Sequence, residues 1–204
     1  MSDDCSCQSL DVAALEARQK RVLVAVMVIN LVTFGGMVVG AVLSGSSALL
    51  SGTLDNLGDA LTYAMNLAVV GASIAAKARV AFLKGCLIML AALAVAVQIA
   101  WRLVEPSVPL FGTMSLVAVL NLIANGFCLW LLTPHRHTDV NMSSVWECSR
   151  NDVFEGFAVI GAALAVGITA DGWPDLFVAV VLLAVFLRSA FRVLRDASRE
   201  LAAA

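Results

Sequence analysis

The chain reads as an all-α, six-helix polytopic membrane protein, and three observations lead there. Of its 204 residues, 61% are hydrophobic and 14% are charged, with a mean hydropathy of +0.93. A soluble domain carries about 25% charged and roughly 45–50% apolar residues. Crossing about 30 Å of hydrocarbon takes roughly 20 residues of helix, and six stretches meet or nearly meet that length. Short turn-forming clusters separate the stretches, and basic residues gather at alternate ends.

The first predicted helix runs from Val22 to Leu43 and stops at Ser44-Gly-Ser-Ser47. The second covers about Ala48 to Ala75 and ends before Lys77 and Arg79. The third, Val80 to Val104, is closed by Glu105-Pro-Ser-Val-Pro109, where two prolines cannot continue a helix. The fourth covers Leu110 to Leu132 and ends at Thr133-Pro134. The fifth covers Ser144 to Thr169, and after Ala170-Asp-Gly-Trp-Pro174 the sixth runs from Asp175 to Leu194. The expected organisation is a tail over residues 1–20, a helical domain over 21–197 and a short tail over 198–204, with no room for a soluble domain. No signal peptide is expected: the first twenty residues are polar and acidic, and no small-residue cleavage site follows the first apolar run.

Basic residues set the expected orientation. Arg18, Lys20 and Arg21 precede the first helix, Lys77, Arg79 and Lys84 flank the second loop, Arg136 lies in the fourth loop, and Arg192, Arg195 and Arg199 follow the sixth helix. The other side holds only Arg102. Both termini are therefore expected in the cytoplasm, in agreement with an even helix count. The net charge of −2, with bases at segment ends rather than along one face, gives no case for nucleic-acid binding.

Against this apolar background, Asp55 and Asp59 stand out. A carboxylate near the bilayer centre costs about 2.5–3.5 kcal/mol on insertion scales, and intramembrane acids mark ion pathways by default. Their i, i+4 spacing puts both on one helix face, where they could jointly hold a cation. Cys148 and Asp152 repeat that spacing on the fifth helix. Three carboxylates and one thiolate suit tetrahedral coordination of zinc, with cadmium or cobalt close behind. A calcium or magnesium cage is a poorer fit, because thiolate is the wrong ligand for either ion.

Other polar residues leave alternatives open. Glu155 is either an accessory ligand, a proton acceptor or a salt-bridge partner of Arg150. Asn151 is expected either to support a ligand from behind or to make an interhelical contact, because it faces about 100° away from Asp152 on an ideal helix. Asn30, Asn66, Asn121 and Asn125 are read as interhelical hydrogen-bond partners, and Gly35-Gly36-x-x-x-Gly40 as a packing surface. Cys5 and Cys7 form a C-x-C pair beside Asp3 and Asp4, and His135 and His137 form an H-x-H pair near Asp139. Each pair is either a peripheral soft-metal chelator or an incidental part of a solvated segment. Five scattered cysteines do not make a disulfide framework.

Together these motifs resemble the cation diffusion facilitator family of divalent-metal/proton antiporters. The resemblance rests on Ser46-Ser-Ala-Leu-Leu-Ser-Gly-Thr-Leu-Asp-Asn-Leu-Gly-Asp-Ala-Leu61, on Cys148-Ser-Arg-Asn-Asp152, and on Trp173-Pro-Asp175 before the last helix. It implies that Asp55, Asp59, Cys148 and Asp152 bind the transported metal near mid-membrane. Cysteine stands where the family usually has histidine, a change toward softer ions. The family's common C-terminal cytoplasmic domain is missing from the short chain, so a homodimer would form through the membrane helices. The expectation is a bacterial inner-membrane protein that exchanges metal ions for protons, without a prosthetic group or enzymatic activity. The alternative is a membrane metal sensor or accessory subunit on the same fold.

Overall fold

The computed structural model describes residues 17–68, 74–136 and 140–203. The N-terminal tail with Cys5 and Cys7, and the loop positions His137 and Asp139, lie outside the described residues. Six α-helices follow one another: α1 (Ala17–Ser44), α2 (Ser47–Ala68), α3 (Ile74–Val104), α4 (Phe111–Leu132), α5 (Val140–Thr169) and α6 (Trp173–Ala203). Pro134 opens a single 3₁₀ turn, Thr133–His135, that closes α4. No strand occurs among the described residues.

Several bounds differ from expectation: α1 and α5 start earlier, at Ala17 and Val140, and Ala75, expected at the end of the second helix, belongs to α3. α3 begins at Ile74, so Lys77, Arg79 and Lys84 ride on its first turns rather than flanking a loop. Ala75, Ala76 and Ala78 are strong helix formers, and nothing there breaks the helix. α6 passes Leu194 and continues to Ala203, because its arginines, Glu200 and alanines favour helix while no Gly or Pro interrupts them.

Among the described residues, five helices are long and apolar enough to cross a membrane by composition, and α2 is not one of them. Its polarity is tolerated because it meets helices instead of lipid. α2 packs against α1, α3 and α6 and touches α5 and α4. Ser51, Thr53, Asn56, Asp59 and Thr62 are all buried by these neighbours. The carboxamide of Asn56 donates to Asn121 Oδ1 at 3.0 Å and accepts from Thr33 Oγ1 at 3.3 Å, tying α2 to α4 and α1. Polar groups inside a bilayer need such partners.

The core differs along the bundle. One half is filled by residues from all six helices, among them Met37, Leu54, Ile99, Met114, Val159 and Leu183. In the other half the core is built from Leu23, Val26, Tyr63, Cys128, Leu132 and Val145, which come from α1, α2, α4 and α5 alone. Among the described residues α3 and α6 add no member to that cluster; they pack on each other, and also on α2 and, for α6, on α5.

The glycines of α1 divide in their roles. A methyl added at Gly40 would lie 2.6 Å from Val117 Cγ2 on α4, whereas Gly35 and Gly36 face open space. Gly40→Ala is therefore expected to destabilise the bundle by about 1–3 kcal/mol through overpacking. Gly36→Ala should leave thermal unfolding in detergent unchanged or slightly raised. Equal behaviour of the two variants would refute the assigned contact.

At the all-helix end, the turns are knitted together around the start of α2. Gly45 adopts φ +70°, a left-handed turn that glycine enters without steric cost. Its carbonyl accepts from Arg102 Nη2 at 2.8 Å. Asp175, 2% exposed, reaches across from the first turn of α6. It accepts from Ser46 Oγ at 2.5 Å, the Ser47 amide at 2.7 Å and the Ala48 amide at 3.1 Å. Ser46 Oγ in turn accepts from the Leu49 amide at 3.0 Å. The first amides of α2, which its own helix leaves without acceptors, are thus satisfied by a carboxylate from another helix.

Candidate metal site

Asp55, Asp59, Cys148 and Asp152 all line one cavity of about 330 Å³ between α2, α3, α5 and α6. The helical period explains why. Asp55 and Asp59 look toward α5 from one stripe of α2, and Cys148 and Asp152 look back from one stripe of α5. The cavity lies beside the second cluster, since Asp59 on its wall is hydrogen-bonded to Tyr63 of that cluster.

The four residues differ in their surroundings. Asp59 is 7% exposed and Cys148 5%, while Asp55 and Asp152 are partly accessible. Tyr63, one turn beyond Asp59, donates its hydroxyl to Asp59 Oδ2 at 3.4 Å. The carboxyl groups of Asp55 and Glu155 lie close together on the cavity wall. Among the described residues, no three His, Cys, Asp or Glu side chains are gathered tightly enough to hold an ion as they stand. The four share a chamber and do not yet converge on a point.

Further residues surround the four. Asn151 lines the cavity beside Asp152, a place compatible with support of a ligand or with an interhelical contact. Glu155 also lines it, whereas Arg150, its expected salt-bridge partner, is exposed and stacks over the Trp146 ring at 5.3 Å. Cys128, 1% exposed on α4, lies within electrostatic reach of Asp59 and Asp152. Its spacing from Asn121 and Asn125 marks an inward stripe, but no single-helix pattern says which neighbour that stripe meets. On the opposite wall stand Lys84 of α3 with Arg188 and Arg192 of α6. Lys84 Nζ donates to Thr62 Oγ1 at 2.6 Å. His135 is buried in the 3₁₀ turn and is not part of the lining.

An all-helical membrane protein that collects carboxylates inside its bundle is built to handle ions. Residues 23–202 match the cation efflux transmembrane domain, and the chain belongs to that family of cation transporters. Two curated relatives carry the name zinc transporter ZitB, one from Yersinia pseudotuberculosis serotype I (strain IP32953) and one from Yersinia pestis. Each is 25% identical over 201 residues, covering 91% of this chain and 64% of the relative. The chain thus spans somewhat less than two thirds of the relatives it matches.

Proposed function

We propose that the protein exports divalent heavy-metal ions by proton-coupled antiport, with Asp55, Asp59, Cys148 and Asp152 as the ligands. Zinc is the leading substrate, with cadmium or cobalt next. The observation that carries this reading is the single cavity shared by two i, i+4 pairs from two helices. Membership in a cation efflux family and the similarity to proteins named zinc transporters support it. The donor set supports a borderline or soft ion, since a thiolate joins three carboxylates.

The chain sits in a bacterial inner membrane with both termini in the cytoplasm, and it works as a homodimer. Metal entering from the cytoplasm draws the four ligands together and breaks the Asp55–Glu155 contact. Bound protons leave, because carboxylates and thiols coordinate only when deprotonated. When the α3–α6 pair rocks against the four-helix core, the site opens to the other side. Protonation there competes with the metal and ejects it. Inward proton flow then drives export.

The test is a comparison of Zn²⁺, Cd²⁺, Co²⁺, Fe²⁺ and Mn²⁺ in proteoliposomes carrying an internal pH dye. Metal-driven proton flux is expected for zinc and its softer neighbours. Binding without flux would replace this reading with that of a membrane metal sensor. Cys148→His is expected to lower the cadmium-to-zinc transport ratio by roughly tenfold, since imidazole is the harder donor. An unchanged ratio would remove Cys148 from the coordination shell.

A further inference from the structure

The cavity is divided by charge. Its acids, Asp55, Asp59, Asp152 and Glu155, all stand on α2 and α5, and its bases, Lys84, Arg188 and Arg192, all stand on α3 and α6. Lys84 and Arg192 are half-buried, and α3 and α6 pack more extensively on each other than on any single other helix. Ionised carboxylates inside a membrane protein need compensating charge, from a metal ion or from nearby bases, or else they take up protons. The sequence pattern gives Lys84 and Arg192 only an anchoring role at the cytoplasmic boundary. In the structure they share the cavity with the acids.

We propose that Lys84 and Arg192 are a tethered counter-charge for the acid cluster, which an arriving divalent cation must displace. The inference rests on the metal-site reading above and adds a determinant of affinity to it. With the site empty, the ammonium and guanidinium groups balance the carboxylates across the cavity. A divalent ion takes over that role and repels both bases, so the α3–α6 pair is pushed away from α2 and α5 as the metal settles. Binding strength is thereby held low enough for release, and occupancy is communicated to the helices that move.

The test is calorimetric titration of the purified full chain in nanodiscs with Zn²⁺ alone, at pH 8 where protons compete least. Lys84→Met and Arg192→Met are each expected to tighten zinc binding about tenfold or more, because a neighbouring positive charge is removed from a low-dielectric cavity. Zinc efflux from proteoliposomes should slow in the same variants, since release becomes harder. Lys84→Arg, which keeps the charge, should bind as wild type does. So should Arg199→Gln, which removes an exposed base outside the cavity. Unchanged or weaker zinc binding in both methionine variants would overturn the proposal. Tightening in Lys84→Arg as well would also overturn it, because the effect would then follow shape and not charge. A parallel Asp59→Asn titration keeps the two readings separate. If that variant binds zinc as wild type does, the metal site itself is misassigned, whatever the methionine variants show.

Discussion

Asp59→Ala is expected to reduce metal-driven proton flux by about 100-fold or more while the protein still inserts and folds. Losing a partner that only orients a ligand costs roughly 10–100-fold in metal affinity, and Asp59 is proposed as a ligand itself. It is the more enclosed of the α2 pair, at 7% exposure, and it accepts from the Tyr63 hydroxyl. Removing it leaves one carboxylate on α2 and takes an acceptor away from the Tyr63 hydroxyl. The measurement is zinc-dependent acidification in proteoliposomes, with size-exclusion behaviour and helical circular dichroism as the folding control. Normal transport by Asp59→Ala would sink the site assignment, because no other residue on α2 replaces that carboxylate.

The second large effect is on stability and falls far from the metal. Asp175→Ala is expected to destabilise the protein by about 3 kcal/mol or more, since hydrogen bonds to a charged acceptor are worth roughly 1.5–3 kcal/mol each. It would strip the Ser47 and Ala48 amides of their acceptor and leave Arg102 without the nearby carboxylate. A helix start buried among helices has no water to turn to. For a chain of this length the apparent Tm should fall by roughly 6–12 °C. Asp175→Asn, which keeps the shape but loses the charge, should fall between wild type and alanine. A Tm within a degree of wild type for the alanine variant would show that α2 is held by packing alone.

Much of this architecture was legible in the residue order. The apolar runs set six helices, and the prolines and glycines between them set the turns. The repeated four-residue spacing of Asp55/Asp59 and Cys148/Asp152 was enough to expect one shared site. Properties that belong to pairs of helices were hidden. Asp175 reads as an ordinary acid in a first helical turn, yet its partners lie 127 to 129 positions away in the chain. Lys84 and Arg192 read as boundary anchors, because nothing in a linear pattern says that α3 and α6 turn those positions toward α2 and α5. The mild polarity of α2 became intelligible only through its burial among the other helices. Position in the bundle, rather than its own composition, makes that segment tolerable.

The capped start of α2 has a mechanical consequence. Asp175 pins that end of α2 to α6, and twelve residues further along, Asp59 sits about 18 Å away at 1.5 Å per residue. A rod fixed at one end is a lever. A tilt of about 10° at the pinned end would sweep Asp59 through roughly 3 Å of arc over that length. That is comparable with the difference between a carboxylate merely facing a chamber and one in contact with an ion. For such a tilt the tight knot of turns at one end would be the fulcrum, and Asp59 would lie on the long arm.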